Sequence, residues 1–399
     1  MTFPSAAPEI PADDADLFSD DARVDPYPIY ERLREAGPVV HLTRHDLYAI
    51  SRYDDVRAAL MDWETFSSAR SVFVDPEINA QLEGITLCSD PPEHTTLRTV
   101  LSRPLRPDRM RELSPRISAA AAEVVDGLVA KGRFDVATEL AQYLPMTVVS
   151  NLVGLGESHR GRMLEWAAAM WDVQGPANER FSAAMPMVEE FIGFAATEAV
   201  PGRIDPDGWA AWLYQAADRG ELPRDKCPGM MLDYVTPSLD TTILGITSTI
   251  ALFAQHPEQW DLLRADRSLT PHAINEALRL ESPVPQFSRV LTRDHEVGGV
   301  PLPAGTRVAL LYGSANRDGR KYPDPDQFDI TRRPSDQLAF GRGEHACIGM
   351  ALARMEMSAL LDRLADQVSR FEILATRPLL NNGLRGLEHL DVRVRTDAP

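Results

Sequence analysis

Apolar residues recur at a helical spacing through the middle of the chain. Between about 105 and 285 they repeat every three to four residues, as in 160–171 and 181–200, and this period predicts amphipathic helices. The stretch from Met230 to Gln255 is mostly apolar, which predicts one long helix in the centre of the protein. A further helix is predicted from Ile348 to about Gln367. The pattern therefore indicates a mainly α protein.

Two other stretches alternate between apolar and polar residues. Residues 39–53 are rich in β-branched and aromatic residues, and residues 289–313 alternate around Gly-Gly and Pro-Ala-Gly turns, so both predict short strands. Strands are also predicted near the end of the chain, around FEIL and LDVRV. The sequence contains no repeat and no change in composition that would mark a domain boundary. We expect a loose N-terminal arm over residues 1–25, then a single domain over residues 26–399 with a small β region.

The charge and the cysteines argue against several classes of protein. The 399 residues carry a formal net charge of −18, which argues against nucleic acid or an anionic membrane as the main partner. Three widely spaced cysteines do not suggest a disulfide framework. The acidic N-terminus lacks the basic and apolar regions of a signal peptide, and no run approaches the ~18 apolar residues of a membrane span. We therefore expect a cytoplasmic protein, and by default a monomer.

One cysteine, Cys347, lies among three glycines and is followed at once by a predicted helix. Gly341, Gly343 and Gly349 let the backbone bend sharply and approach a flat ligand. The helix N-terminus directs free N–H groups at the sulfur, which favours the reactive thiolate form. No second cysteine stands at a spacing for structural zinc, and His345, in an extended loop, would point away from the thiol. The alternatives are a metal ligand, a nucleophile and a buried inert thiol.

The loop around this cysteine resembles the haem-binding loop of the cytochrome P450 superfamily. The matching residues are Phe340, Gly343, His345, Cys347 and Gly349. The resemblance implies that Cys347 is the axial ligand of a haem b iron, and that Phe340, Gly341 and Gly349 contact the haem. It also implies the single-domain cytochrome P450 fold, with the haem between the long central helix and the helix that follows the cysteine.

Further motifs of that family stand in the expected order. Glu276 and Arg279 resemble its ExxR pair, which supports the haem-side core, and residues 321–332 resemble the meander that packs against it. The resemblance also implies that four side chains reach the haem propionates. They are His94, Arg98, Arg289 and His345. Gln337 stands where many relatives carry a further histidine.

The central segment TPSLDTT (236–242) resembles the oxygen-activation motif of the family. Asp240 and Thr241 match its acid and its alcohol, which the resemblance assigns to proton delivery. Pro237 and Ser238 replace the usual pair of small residues. Proline inside a helix typically costs about 3 kcal/mol. Because this helix is already distorted at that point in the family, we expect Pro237 to fix a kink and not to break the helix.

Stretches outside these motifs resemble the bacterial cytochromes P450 that demethylate para-methoxybenzoates. They are GPANE (175–179), ESPV (281–284), GSANRD (313–318), DITR (329–332) and NNGLRGLE (381–388). This resemblance implies a compact pocket of aromatic size, and the substrate-contact segments of the family supply the predicted pocket positions. These are Val72, Phe73, Ile85, Trp171, Val173, Asp233, Thr236, Pro237, Val284, Phe287 and Leu384.

The match weakens at the anchor for a benzoate carboxylate. Residues 75–90 contain no Arg or Lys where those enzymes have an arginine and a serine, and Asp233 replaces a serine on the central helix. A buried carboxylate repels a second carboxylate. We therefore expect a small aromatic substrate that is neutral or weakly basic, unless Arg70 provides the anchor or Asp233 points away.

These features predict a haem-thiolate monooxygenase that inserts one oxygen atom from O2 into a small aromatic, by hydroxylation or O-demethylation. No flavin or iron–sulfur motif is fused to the chain, which implies a ferredoxin-type electron donor with its reductase. Four basic residues are predicted to receive this acidic donor: Arg103, Arg106, Arg109 and Arg111. The alternatives are a tailoring hydroxylase of a macrolide or terpenoid, a peroxide-driven haem enzyme and a non-catalytic haem sensor. Asp240 and Thr241 argue against peroxide use, which bypasses proton-coupled oxygen activation.

Overall fold

The computed structural model describes residues 9–397 and is mostly helical. Within these residues the α-helices are α1 (Asp20–Val24), α2 (Tyr27–Ala36), α3 (Tyr53–Met61), α4 (Pro76–Gln81), α5 (Glu93–Leu101), α6 (Pro107–Lys131), α7 (Ser150–Val153), α8 (Arg160–Asp172), α9 (Glu179–Thr197), α10 (Trp209–Asp218), α11 (Cys227–Val235), α12 (Asp240–Gln255), α13 (Pro257–Ala265), α14 (Thr270–Leu280), α15 (Tyr312–Ala315) and α16 (Met350–Gln367). Two π-helical segments, Val136–Ala141 and Pro145–Val149, lead into α7.

The strands of residues 9–397 form three small sheets. They are β1 (Ala12–Asp13), β2 (Val39–Leu42), β3 (Leu47–Ile50), β4 (Phe66–Ser67), β5 (Arg133–Asp135), β6 (Gln286–Leu291), β7 (His295–Val297), β8 (Val300–Leu302), β9 (Arg307–Leu311), β10 (Val368–Pro378) and β11 (Leu387–Thr396). The largest sheet has the order β1-β2-β3-β9-β6-β4, and the others pair β10-β11-β5 and β7-β8. The strands predicted over 39–53 and 289–313 and around FEIL and LDVRV are therefore confirmed.

Helix α12 runs through the centre of the core. Every residue from Thr242 to Phe253 is buried, as its continuous apolar run predicts. Gly245 lets two further helices approach closely, because a side chain there would meet Leu278 of α14 and Met357 of α16. No helix within residues 9–397 combines the length and apolar character required to cross a membrane.

The prediction of one helix from Met230 to Gln255 is wrong, because residues 236–239 separate α11 from α12. Pro237 lacks the N–H that would bond the carbonyl of Asp233, so the helical ladder stops there. The hydroxyl of Ser238 instead donates to the carbonyl of Tyr234, which caps the end of α11. The proline therefore does more than fix a kink, since it divides the helix into two.

The predicted loose arm over residues 1–25 also needs correction. Residues 1–8 lie outside the described residues. Strand β1 pairs in parallel with β2, and Leu17 and Phe18 are buried. The hydroxyl of Ser19 accepts a hydrogen bond from the backbone N–H of Ala22 at 3.3 Å and begins α1. The described part of the segment is ordered because Leu17 and Phe18 join the apolar cluster that contains Val40 and Leu42 of β2.

A buried ion network joins α14 to the segment that follows α15. Arg279 donates to both carboxylate oxygens of Glu276 at 2.8 and 2.9 Å, and both side chains are fully buried. Arg279 also donates to the carbonyls of Asn316 and Pro325, while Arg332 donates to Glu276 at 3.1 Å. These bonds hold the segment predicted to be the meander against the helix.

Candidate functional site

A cavity of about 250 Å³ lies beside α12 and α16 and is closed by the loop that carries Cys347. Most of the predicted site residues line it. They are Phe73, Ile85, His94, Arg98, Trp171, Asp233, Thr236, Pro237, Thr241, Val284, Phe287, Arg289, Phe340, Gly341, His345, Cys347 and Gly349. Residues from distant parts of the sequence therefore share one wall.

The backbone around Cys347 is held by local hydrogen bonds and tight packing. The N–H of Cys347 donates to the carbonyl of Phe340 at 2.8 Å, which folds the loop back on itself. Gly343 adopts a φ of +69°, and a side chain there would collide with the carbonyl of Leu60. A glycine is therefore required at this position on both conformational and steric grounds. The loop presents its sulfur to the cavity.

The surroundings of the Cys347 thiol have opposing effects on its pKa. Burial raises the pKa of Cys347, whereas the N–H groups of Gly349 and Met350 and the nearby Arg98 lower it. Burial is the larger effect, so the thiolate that the sequence predicts is not favoured by the protein alone. A bound metal ion would reverse this balance, because a coordinating thiol is deprotonated.

Four cationic or imidazole side chains meet on one part of the wall. The rings of His94 and His345 lie 4.3 Å apart, and both nitrogens of His94 and Nε2 of His345 are buried without a hydrogen-bond partner among the described residues. Burial lowers the pKa of both, that of His345 to about 2. Arg98 donates to the carbonyl of Ala346, and Arg289 donates to that of Ser288 at 2.7 Å. This group has spare donors for an anion.

The predicted acid and alcohol face different ways at the start of α12. Thr241 lines the cavity, and its hydroxyl donates to the carbonyl of Pro237 at 2.7 Å. Asp240 is absent from the cavity wall, and its Oδ2 is buried without a partner among residues 9–397. Burial, and then the negative charge of Asp172, raise the pKa of Asp240 to about 7. A carboxyl group with this pKa can both give and take a proton at neutral pH.

Asp233 does not point away from the cavity. Its Oδ2 accepts a hydrogen bond from the backbone N–H of Thr86 at 2.9 Å, which ties α11 to the loop after α4. Burial raises its pKa to about 6. Arg70 is exposed and absent from the wall, so the alternative carboxylate anchor proposed for Arg70 is wrong.

Three predicted pocket residues are core residues. Val72, Val173 and Leu384 are buried but do not line the cavity, and Leu384 packs with Trp171 and Leu244 instead. Conversely, Glu356 on α16 lines the cavity but was not predicted from the sequence. Burial raises the pKa of Glu356 to about 8. An acidic residue within an apolar stretch of a predicted helix was the available signal.

The side chains present fit a haem. The sulfur on the glycine-rich loop suits an iron ligand, and the buried donors without partners suit the carboxylates of a haem. The walls, formed largely by apolar side chains, suit the porphyrin plane. No cluster of three or more His, Cys, Asp or Glu that could hold a metal ion by itself occurs in the described part of the chain.

Comparison with known proteins decides the family. The family model for cytochrome P450 matches residues 211–377. Cytochrome P450 CYP199A2 of Rhodopseudomonas palustris is 37% identical over 384 residues, which cover 95% of this chain and 93% of that protein. The chain belongs to the cytochrome P450 family. This confirms the resemblance stated from the sequence, the mainly α fold and the haem b cofactor.

Two further proteins similar to this cytochrome P450 hydroxylate or bind different molecules. The 6-deoxyerythronolide B hydroxylase of Saccharopolyspora erythraea is 32% identical and covers 95% of this chain and 98% of its own length. The solved structure of cytochrome P450 CREJ in complex with (4-ethylphenyl) dihydrogen phosphate matches with a TM-score of 0.83 at 27% identity, covering 93% of this chain and 97% of that one. The protein is a cytochrome P450 monooxygenase that uses O2 and a redox partner, and family membership leaves its substrate open.

Proposed function

We propose that this cytochrome P450 hydroxylates or O-demethylates a small aromatic substrate that carries no carboxylate, with electrons from a ferredoxin-type partner. The observation that carries the proposal is the buried carboxylate of Asp233 in the cavity wall. The guanidinium groups in that wall belong to Arg98 and Arg289. If both serve the haem propionates, no cation is left in the wall to bind a carboxylate substrate.

The lining of the cavity supports a small aromatic. Phe73, Trp171 and Phe287 supply flat apolar surfaces. The hydroxyl of Thr236 lines the cavity without a hydrogen-bond partner among the described residues, and it is placed to bind a neutral ether or phenol oxygen.

Each part of the site has a role in this proposal. Cys347 ligates the iron, and when bound a haem with a thiolate ligand supplies electron density that favours O–O cleavage. His94, Arg98, Arg289 and His345 hold the propionates. Thr241 and Asp240 hold and transfer protons beside the cavity, with the Thr241 hydroxyl oriented by the carbonyl of Pro237.

Spectral titration of the purified protein tests the substrate class. We would add para-methoxybenzoate and, separately, its neutral amide, which has the same shape. We expect the amide to shift the haem from low to high spin, and the benzoate to cause little change. A tight shift with the benzoate and none with the amide would contradict the proposal. A response only to macrolides would favour the larger-substrate alternative, which the hydroxylase from Saccharopolyspora erythraea supports.

A further inference from the structure

Two segments that resemble the para-methoxybenzoate-demethylating enzymes lie outside the candidate site. The structure packs GPANE (175–179) against the start of NNGLRGLE (381–388). Asn178 and Asn382 exchange hydrogen bonds between their side-chain amides at 2.9 Å. A side chain at Gly175 would overlap that of Asn382, and one at Gly383 would overlap the carbonyl of Trp171. Both segments thus close tightly around the C-terminal end of α8.

That end of α8 carries Asp172, which follows the cavity-lining Trp171. The backbone N–H of Asn382 donates to Oδ1 of Asp172 at 2.9 Å, and the side-chain amide of Asn382 donates to its carbonyl at 2.8 Å. The first bond holds the carboxylate of Asp172, and the second holds its backbone carbonyl. Asp172 is only partly buried, so it retains contact with solvent.

The end of α8 packs against the start of α12, which carries Asp240, because Trp171 and Leu244 of α12 belong to one apolar cluster. The indole N–H of Trp171 donates to the carbonyl of Thr236 at 3.1 Å, which ties the end of α8 to the break that precedes Asp240. The Oδ2 of Asp240 is buried without a partner in the described part of the chain. The negative charge of Asp172 contributes to the raised pKa of Asp240, so the two carboxyl groups interact electrostatically.

Two arginines, Arg23 and Arg180, carry positive charges that act on Asp172. Arg23 of α1 is buried and donates to the carbonyl of Leu384, and Arg180 of α9 donates to Asn382 and to Asp20. Both arginines lower the pKa of Asp172, but burial is the larger effect and raises it to about 6. A carboxyl group of this kind exchanges protons readily at neutral pH.

We propose that Asp172 is the outer carboxyl group of the route that supplies protons to Asp240 and Thr241. The inference rests on the proposed monooxygenase function. Each turnover consumes O2, two electrons from the redox partner and two protons, and it yields oxygenated product and one water. Each proton passes from the carboxyl of Asp172 through water to the carboxylate of Asp240, and Asp172 takes another from solvent. Asp172 acts through Asp240 and does not touch the reacting atoms.

Kinetics of Asp172→Asn test the route. We expect the fraction of supplied electrons that appears as product to fall several-fold, and the solvent deuterium isotope effect to rise, with an unchanged spin shift on substrate binding. Asp172→Glu should restore the fraction. Glu165→Gln on the same helix, an exposed residue paired with Arg162, is the matched control and should leave both quantities unchanged. Wild-type coupling and isotope effect in Asp172→Asn would overturn the proposal.

A measurement without turnover separates this proposal from the proposed function. Infrared difference spectra over a pH series follow the protonation of Asp240, whose band is assigned with Asp240→Asn. Removal of the Asp172 charge should shift the Asp240 titration to lower pH, and an unchanged titration would overturn the interaction. If the wild-type protein oxidises no small aromatic while this shift is seen, the substrate assignment fails and the coupling of the two carboxyl groups stands.

Discussion

Several side chains in the cavity wall have hydrogen-bonding groups that no protein atom satisfies. Both nitrogens of His94, Nε2 of His345 and the hydroxyl of Thr236 are buried without a partner among residues 9–397. Buried polar groups in native proteins are nearly always paired, because an unmade hydrogen bond costs about 1–3 kcal/mol. These groups are therefore placed for bound molecules and not for stability.

Cys347 is expected to be indispensable for haem-thiolate chemistry. Cys347→Ser should lose the thiolate-type absorption spectrum that the reduced haem gives with carbon monoxide, because a serine hydroxyl does not replace a thiolate on iron. Product formation should fall to background. Far-ultraviolet circular dichroism should show an unchanged fold. Cys227→Ala is the matched control, since Cys227 is buried but does not line the cavity. A wild-type spectrum in Cys347→Ser would contradict the ligand assignment.

Asp233 should make the binding of a carboxylate substrate depend on pH. Its pKa is raised from 3.8 to about 6, so the residue is negatively charged above pH 6 and neutral below it. We expect affinity for para-methoxybenzoate to rise as the pH falls through about 6, and affinity for the neutral amide to stay constant. Spectral titrations across this range measure both.

Asp233→Asn is the matched test, because an amide oxygen can still accept the hydrogen bond from Thr86. The variant should bind the benzoate at neutral pH and lose the pH dependence. Weak benzoate binding that persists in Asp233→Asn would mean that the charge of Asp233 does not set the specificity.

Much of the site could be predicted residue by residue. Cys347 and its loop were recognisable because several residue types stand at fixed spacing. Val72 and Leu384 were misassigned because an apolar residue in a substrate-contact segment can face the core as well as the cavity. Asp172 could not be found from the sequence, since the effect of its charge on Asp240 arises only once the chain is folded.

At the scale of elements, the break between α11 and α12 shows where pattern alone fails. The apolar positions continue across residues 236–239, so periodicity predicts a single helix. The backbone at Pro237 decides otherwise, because a missing N–H removes one bond of the ladder. The resulting free carbonyl of Pro237 accepts the hydroxyl of Thr241, so the break also orients the predicted alcohol.

The ion network of α14 should dominate the stability of this element. Arg279→Leu leaves the buried Glu276 without its bidentate partner, and loss of a buried ion partner costs about 3–5 kcal/mol. Chemical denaturation at fixed pH measures the change in the free energy of unfolding. Arg267→Ala removes an exposed ion pair with Asp366 and should cost less than about 1 kcal/mol. Equal losses in the two variants would show that burial of the pair is not decisive.

At the scale of the whole molecule, a local basic patch on an acidic protein is the feature that bears on docking of the electron donor. The net charge is −18, yet Arg103, Arg106, Arg109 and Arg219 line a second cavity of about 270 Å³. Arg103 is paired with Glu221, and Arg109 lies 3.1 Å from Glu112. Arg106 has no ion-pair partner in the described part of the chain, so the patch can attract an acidic protein.

Charge reversal tests the predicted docking of the electron donor. The double variant Arg106→Glu/Arg109→Glu should slow reduction by a ferredoxin about tenfold or more at low salt, and the difference from wild type should shrink at high salt. Stopped-flow absorbance measures the rate, and the spin-shift titration should not change. Arg393→Glu/Arg395→Glu on β11 is the control for a change in net charge. Equal slowing in both double variants would indicate a general charge effect.

The mainly α architecture and the small sheets could be predicted because their hydrophobic periods differ. The N-terminal segment could not, since Leu17 and Phe18 are few among many polar residues and their burial depends on the sheet they pack against. Long-range packing of this kind leaves little trace in local composition.

The network around Glu276 also constrains the order in which the chain can fold. Arg332 is 56 residues from Glu276 in sequence, so their bond closes a long loop. Neither Glu276 nor Arg279 can leave water before the carbonyls of Asn316 and Pro325 and the guanidinium of Arg332 arrive, because an unpaired buried charge is costly. The helix and its meander should therefore form together and late, and the rate-limiting barrier to folding should depend on the sequence of both.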